Sequence, residues 1–222
     1  MSTIMSALSI DRLIYTVPAI LIAMTMHELA HGYVSYKLGD PTPKSDGRLS
    51  LNPLRHLDPL GTLCMLLFGF GWAKPVQVNP SYYDDPKAGM MWTAVAGPLM
   101  NFLMALLSLV IMAALLSVFG VYVILQNGIV SYLITLCFYT ATLNVGLGVF
   151  NLIPIPPLDG SKVLAGVLPQ DLYLKLMQWE PYIGMILLLV LYSGLLNAPL
   201  VGATNSIVEA MSNLVIHLFG LY

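Results

Sequence analysis

The stretch LIYTVPAILIAMTMHELAHGYVSYKL, residues 13–38, decides how the rest of the sequence is interpreted. It is long and apolar enough to cross a bilayer as a helix, which takes about 20 residues. It is followed by Gly39-Asp40-Pro41, which predicts a helix end and a turn. Inside it lie His27, Glu28 and His31. Ionisable side chains within an apolar span are costly, so their presence there favours a functional site.

The composition of the whole chain indicates a membrane protein. Of 222 residues, 58% are hydrophobic and only 9% are charged, whereas soluble domains carry about 25% charged residues. The net charge of -2 excludes a nucleic-acid binder built on a basic face. Cys64 and Cys137 lie in apolar runs and are too few for a disulfide framework, so we expect them to serve packing alone.

Hydropathy predicts an all-α polytopic membrane protein with about five transmembrane helices in a single domain, residues 1–222. The five predicted spans are residues 13–38, 88–119, 129–150, 181–196 and 200–221. The last one carries a polar residue at every fourth position, so it is either an amphipathic span or a helix in the membrane interface. This polar stripe consists of Asn205, Glu209, Asn213 and His217.

Residues 40–87 differ in character, because proline, glycine, asparagine and charged residues interrupt two short apolar runs. The run 60–70 is too short to cross about 30 Å of hydrocarbon as a helix, so we expect a re-entrant segment. Residues 47–52 and 75–79 alternate apolar and polar side chains, which predicts two short β-strands around the site.

The distribution of lysine and arginine predicts the orientation of the chain. All but Arg12 lie within residues 37–87 and 162–175. Since basic residues are retained on the cytoplasmic side, we expect these segments to be cytoplasmic, in a multi-pass protein of the cell membrane. The site then lies nearer the cytoplasmic face, with His31 on the order of 10 Å below the end of the first span.

The first span contains an H-E-x-x-H pattern, His27-Glu28-Leu29-Ala30-His31. Two histidines four residues apart share one face of a helix and can bind one zinc ion, with the adjacent glutamate available to activate water. The alternative is that both histidines form hydrogen bonds to neighbouring helices. A catalytic zinc site needs a third ligand from His, Asp or Glu and keeps one position open.

Asp159 is the strongest candidate for that third ligand. It belongs to Asn151-Leu-Ile-Pro-Ile-Pro-Pro-Leu-Asp-Gly160, whose prolines must break the preceding helix and leave backbone groups unsatisfied at membrane depth. Such backbone is tolerated around a cavity or inside protein, which gives a carboxylate there a reason to be buried. The alternative is that Asp159 only caps the following helix. The other candidates are Asp171 and Glu180, which lie in a polar connection, and the isolated polar residues His56, Glu209 and His217.

Together these motifs resemble the site-2 protease family of intramembrane zinc metalloproteases. The resemblance runs through residues 27–31, 39–43, 47–54, 58–61, 71–78, 96–98 with Asn101, and 151–160. The sequence has no stretch that corresponds to the PDZ or CBS domains of larger members, so we expect a compact core. Asn101 can form a hydrogen bond between helices or take part in catalysis, and we expect the hydrogen bond.

The resemblance implies that His27, His31 and Asp159 ligate one Zn²⁺ and that Glu28 is the general base. It also implies that Asn151 binds the substrate or steadies the tetrahedral intermediate, whereas the residues alone allow it to bridge broken backbone instead. The implied activity is that of a zinc endopeptidase that cleaves within or near a transmembrane segment. The implied substrate is a single-span membrane protein or a signal-peptide remnant in the lipid bilayer.

Two other functions fit parts of the pattern. A zinc transporter can place the same residue types in a membrane helix, but transport needs a path that opens in turn to both faces, and the chain shows no repeat halves. An inactive scaffold would keep the fold without needing the full ligand set. A Glu28→Gln variant separates these functions, because only the protease needs that carboxylate for turnover.

Overall fold

The computed structural model describes residues 10–68, 72–169, 171–172 and 178–221. It consists mainly of helices: α1 Ile10–Lys37, α2 Thr42–Ser45, α3 Pro59–Phe68, α4 Pro86–Gln126, α5 Gly128–Asn151, α6 Asp159–Val167, α7 Glu180–Ser193 and α8 Asn197–Phe219. Two short 3₁₀ helices, Pro53–Arg55 and Pro80–Tyr82, lie in the connection between α1 and α4.

Local sequence explains where the long helices begin and end. α1 is followed by Gly39 at a φ of 104°, a conformation that residues with a side chain rarely adopt. α4 begins at Pro86, and the Asp85 carboxylate accepts hydrogen bonds from its first free backbone N–H groups. Asn127 caps α5 in the same way. Near the end of α4, Gly120 is non-helical, with φ 67° and ψ 160°.

Three helical stretches are long and apolar enough to cross a membrane, and they comprise residues 12–37, 86–120 and 128–151. The predicted count of five spans is not confirmed. The last two predicted spans correspond to α7 and α8, which meet at an angle of 82° and count together as at most one further span. The bend follows Gly194, which ends α7 in the left-handed conformation.

The run predicted to be re-entrant, residues 60–70, lies largely in α3, and its last two residues fall outside the described part. The ten residues of α3 extend over about 15 Å at 1.5 Å per residue. That is half of the hydrocarbon thickness, so α3 by itself does not span a bilayer. That this segment is re-entrant, entering and leaving the bilayer on the same side, stays a prediction.

The two predicted strands, 47–52 and 75–79, are not formed. No strand occurs in the described ranges, and the pairing present is an isolated antiparallel bridge between Leu57 and Ala73. The physical reason is that buried carboxylates, rather than a second strand, bind backbone N–H groups of residues 75–79. An alternating pattern is therefore present without the ladder that it usually indicates.

α4, α5 and α8 pack together through small and branched side chains. The buried cluster at their contact consists of Ala105, Leu109, Ala113, Ala141, Val145, Val208 and Val215. Small residues let helix backbones approach closely, which is how helices associate in lipid. α1 also packs against α4 and α5. Large apolar side chains of α4, among them Leu99, Leu103 and Leu107, are exposed, as expected for a surface in contact with lipid.

α8 has one buried and one exposed face. Val208 and Val215 lie in the cluster shared with the long helices α4 and α5. The exposed positions include the predicted polar stripe of Asn205, Glu209, Asn213 and His217. α8 is thus amphipathic as the sequence indicated, and it packs alongside long helices of the bundle.

Candidate active site

Two buried histidines of α1 meet at their Nε2 atoms. His27 and His31 are one helical turn apart, and their Nε2 atoms are separated by 3.0 Å. The Nδ1–H group of His31 donates to the backbone carbonyl of Thr93 in α4, at 2.7 Å. A proton on Nδ1 leaves the lone pair of Nε2 free, so His31 is prepared to bind a metal through Nε2.

Asp159 completes this group at the first residue of α6. Its Oδ2 atom lies 3.1 Å from Nε2 of both His27 and His31. The start of α6 is tightly packed: a Cβ added to Gly160 would lie 2.3 Å from the carbonyl oxygen of Leu152. The break that the prolines impose after α5 therefore brings a buried carboxylate to the histidine pair, as the sequence predicted.

The spacing of these three donors fits a zinc ion. Zinc bound at about 2.0–2.1 Å in a tetrahedral site holds its ligand atoms about 3.3–3.4 Å apart. The observed separations of 3.0 and 3.1 Å are within a few tenths of an ångström of that value. In the described part of the chain, these residues form the one group of three His, Cys, Asp or Glu side chains that converges in this way. Two imidazoles and one carboxylate leave a fourth position free for substrate or water.

The remaining candidates for a third ligand do not join this group. His56 is fully buried, but its Nε2 atom contacts the Ser50 carbonyl at 2.7 Å. Glu209 is exposed on α8. Cys64 and Cys137 are free cysteines outside the group. Of the candidates that the sequence left open, Asp159 is the one that lies with the two histidines in the described part of the chain.

Gly97 of α4 lies directly against both histidines. A Cβ at this position would be 2.4 Å from His31 Nε2 and 2.6 Å from His27 Cε1. Any side chain there would clash with the rings, so α4 can approach the histidine pair this closely only with glycine. Ala96-Gly97-Pro98 belongs to the resemblance to the site-2 protease family, but the sequence alone gave Gly97 no role. The available signal was a glycine between alanine and proline in an apolar helix.

Glu28 lies next to the histidines and is buried, with 7% of its surface exposed. Its Oε2 atom accepts a hydrogen bond of 2.9 Å from the backbone N–H of Val76. Val76 belongs to the extended connection between α3 and α4, and the carbonyl of the preceding Pro75 accepts a hydrogen bond from Arg48 at 3.3 Å. The segment 72–79 thus lies over the site and holds one oxygen of the carboxylate.

A cavity of about 350 Å³ connects these elements. Its walls include His27, Glu28 and Asp159, and also Asn151 at the end of α5. The side-chain amide of Asn151 donates to the carbonyl of Leu147 at 3.0 Å, one turn back in its own helix. The structure therefore places Asn151 in the wall of the cavity and outside the three-residue group.

A buried carboxylate for which the sequence predicted no role links the connection between α1 and α4 to α1. Asp40 is fully buried and accepts hydrogen bonds from the backbone N–H groups of Thr42 and Asn79, at 2.9 and 2.7 Å. It also accepts one from the Ser35 hydroxyl, at 2.7 Å. Burial alone would raise the pKa of Asp40, but these hydrogen bonds outweigh it and lower the pKa below its usual value. No local pattern distinguishes Asp40 from an ordinary turn residue.

From Asp40 a chain of hydroxyl groups leads to the histidines. Ser35 gives its proton to Asp40, so the Tyr83 hydroxyl, 2.7 Å away, donates to Ser35. Tyr83 in turn lies 3.3 Å from the hydroxyl of Thr93, whose carbonyl binds His31. Buried networks of this kind restrict the side chains they contain. The connection between α1 and α4 is thereby linked to the orientation of His31.

Asn101 does not show the predicted hydrogen bond between helices. It is fully buried, and within the described residues neither polar atom of its side chain has a hydrogen-bond partner. Its position four residues after Gly97 places it one turn further along α4.

Comparison with known proteins connects this geometry to a family. Residues 15–191 match the model of peptidase family M50. The chain is 38% identical over 180 residues to YwhC, a candidate zinc metalloprotease of Bacillus subtilis, which is 80% of both proteins. No solved structure matches it significantly.

Two relatives from Methanocaldococcus jannaschii extend the comparison. MJ0611, a candidate zinc metalloprotease, is 30% identical over 72% of this chain and 67% of its own length. The zinc metalloprotease MJ0392 is 29% identical over 79% of this chain but only 41% of its own length. The family match covers α4, α5, α6 and most of α1, and thus all three residues of the donor group. The chain therefore belongs to peptidase family M50, the site-2 protease family, and is a membrane zinc metalloprotease.

Proposed function

We propose that the protein is an intramembrane endopeptidase that hydrolyses a peptide bond within or near a transmembrane segment of a membrane-anchored substrate. The observation that carries the proposal is the meeting of His27 and His31, on a membrane-length helix, with the buried carboxylate of Asp159. A hydrolytic site inside a bundle of apolar helices suits a substrate that is itself in the membrane.

His27, His31 and Asp159 would hold one zinc ion through the three atoms that already converge. When bound, zinc supplies Lewis-acid polarisation of the scissile carbonyl and makes water more acidic. Thr93 keeps the imidazole of His31 in the required tautomer, since its carbonyl binds the opposite ring nitrogen.

Glu28 is the proposed general base. Val76 binds only its Oε2 atom, so the other carboxylate oxygen can accept a proton from the attacking water and later deliver it to the leaving amine. Because Glu28 follows His27 directly in α1, the carboxylate is held next to the metal ligands by the helix itself. Glu28 can therefore act as a base without any movement of His27 or His31.

Asn151 is proposed to bind the substrate in the cavity. Its side-chain N–H is directed to Leu147, but an amide group has a second N–H for a substrate carbonyl. A hydrogen bond at that carbonyl would be stronger once negative charge develops on the oxygen.

The segment 72–79 is the proposed dock for an extended substrate. A helical substrate hides its carbonyl groups in internal hydrogen bonds, so it must unwind locally before cleavage. Within the described chain, the backbone groups of Gln77 have no hydrogen-bond partner, and they lie beside the cavity wall formed by Val76 and Val78. Unpaired extended backbone can accept an added strand. A Val78→Pro variant that cleaves as well as the wild type would argue against this dock.

The proposed setting is the cell membrane, with the site nearer the cytoplasmic face, as the basic residues indicate. The proposed partners are the lipid bilayer and a single-span membrane protein or signal-peptide remnant as substrate. We propose no nucleic-acid partner, because the net charge is -2.

The test is a Glu28→Gln variant in liposomes with a single-span test substrate. We expect zinc binding to be retained and cleavage to fall by about 10²–10⁴-fold, the contribution typical of a general base. Glu209→Gln is the matched control, because Glu209 is exposed on α8, and it should cleave at the wild-type rate. Cleavage by Glu28→Gln at the wild-type rate would refute the mechanism, and zinc flux into the liposomes would indicate a transporter instead.

A further inference from the structure

The two carboxylate oxygens of Asp159 face different partners. Oδ2 is 3.1 Å from the Nε2 atoms of His27 and His31. Oδ1 is 3.6 Å from the ammonium group of Lys162. Lys162 lies three residues further along α6, where the two side chains share one face of the helix. The ammonium group therefore contacts Oδ1, the carboxylate oxygen that faces away from the two histidines.

We propose that Lys162 is a positioning residue that keeps Oδ1 of Asp159 away from the metal, so that the carboxylate coordinates through Oδ2 alone. This inference rests on the zinc site of the proposed function. A carboxylate that shared both oxygens with zinc would occupy an additional coordination position, whereas hydrolysis needs an open one. To bind through both oxygens, the carboxylate would have to rotate. The Lys162 ammonium group opposes this rotation, because the rotation would break its ion pair with Oδ1.

The surroundings of α6 favour this arrangement. Asp159 is buried, and its backbone cannot shift easily because Gly160 is packed against the carbonyl groups of Leu152 and Ile153. Rotation of the carboxylate is therefore the freedom that remains. Lys162 is partly exposed, with 39% of its side chain accessible, so its ammonium group stays hydrated while it contacts Asp159. The free energy of desolvation is therefore smaller for Lys162 than for a fully buried cation.

A second lysine nearby supplies a matched control. Lys87 and Lys162 both line a cavity of about 360 Å³ that adjoins the active-site cavity. The Lys87 ammonium group donates to the carbonyl of Leu168 at 2.6 Å, at the end of α6 away from Asp159. Lys87→Met removes the same charge from the same cavity and leaves the ion pair of Asp159 intact.

The experiment replaces zinc by Co²⁺ in the purified protein and records the visible spectrum, which distinguishes four-coordinate from five-coordinate cobalt. We expect Lys162→Met to shift the spectrum from the four-coordinate to the five-coordinate form in the absence of substrate. Zinc affinity, measured by competition with a chelator, should be unchanged or tighter, because a cation is lost and a ligand oxygen gained. We expect kcat to fall by about 10- to 100-fold, with KM within about twofold of the wild type.

The Lys162→Arg and Lys87→Met variants should both show the wild-type spectrum. A Lys162→Met spectrum identical to that of the wild type would overturn the proposal. So would a weaker zinc affinity together with a lower melting temperature, since that combination indicates a purely structural lysine. If the wild type gave the expected spectra but cleaved no membrane substrate, the proposed function would fail and the role of Lys162 at the metal would stand.

Discussion

Replacing Gly97 by alanine adds one methyl group directly against the rings of His27 and His31. The new Cβ would lie 2.4 Å from Nε2 of His31 and 2.6 Å from Cε1 of both histidines. Favourable contacts between such atoms are about 3.5–4.0 Å, so α4 or the rings must move by about 1 Å. Ligand distances in a zinc site tolerate shifts of only about 0.2 Å. The methyl group and a correctly bound metal therefore exclude each other unless the helices separate.

The size of the effect follows from the cost of overpacking. One added methyl group in a tight core costs about 1–3 kcal/mol. The apo protein can relieve this strain by moving the histidines, whereas zinc binding restores the strained geometry. Zinc affinity should then fall by the same free energy, which corresponds to about 5- to 150-fold. All three proposed ligands are still present in the variant, so the loss would come from geometry alone.

The assay is zinc affinity of the purified protein in detergent, by competition with a chromophoric chelator, together with thermal unfolding of the zinc-free form. Gly202→Ala is the control, because a Cβ on that glycine of α8 meets no atom within 4 Å. It should bind zinc like the wild type. Equal zinc affinity in Gly97→Ala and Gly202→Ala would refute the reasoning about the contact between α4 and the histidines.

Two further predictions concern buried polar groups outside the ligand set. Because the folded state lowers the pKa of Asp40, this carboxylate contributes stability above the ordinary carboxyl pKa of about 3.9, and the contribution is lost as pH falls through the folded pKa. Asp40→Asn should therefore lower the melting temperature at pH 7 and flatten its decline towards acid; an acid limb as steep as that of the wild type contradicts this. Asn101 is buried without a partner in the described residues, so Asn101→Leu should increase the free energy of unfolding by about 1–3 kcal/mol. A lower melting temperature for Asn101→Leu would mean that the carboxamide has a partner, such as an internal water.

The meeting of His27, His31 and Asp159 could be predicted in part because helix geometry is local. A spacing of four places His27 and His31 on one face of any helix. The prolines before Asp159 also act locally, since they end α5 whatever the surroundings. A carboxylate and a broken helix are both costly at membrane depth, and this cost predicted that Asp159 is buried near the histidines. For these residues, short-range rules and the properties of lipid were sufficient.

The contacts around this group could not be predicted, because they join residues far apart in the chain. Glu28 and Val76 are 48 residues apart, and Asp40 and Asn79 are 39 apart. The alternation at residues 75–79 was interpreted as a strand because an extended segment usually pairs with another. In this segment, N–H groups of Val76 and Asn79 are bound by carboxylates instead. The alternation of apolar and polar residues alone cannot distinguish such a segment from a paired strand.

The predicted number of spans is not confirmed, for a related reason. Hydropathy measures how apolar a segment is and not its direction, so the bend of 82° between α7 and α8 left no signal in the composition. The Gly194 that ends α7 was visible in the sequence. A single glycine, however, is compatible both with a tight bend and with a short loop between two separate spans.

The hydrogen bonds of Asp40 also set the timescale on which the connection between α1 and α4 exchanges its protons with solvent. The amides of Thr42 and Asn79 lie outside the long helices, yet both are bound to one buried carboxylate that is also bound by Ser35 of α1. Their exchange requires this anchor to open, so they should be protected together with the last turns of α1. In kinetic terms the segment over the site is part of the bundle, and a substrate that displaces it must disturb a unit that includes α1.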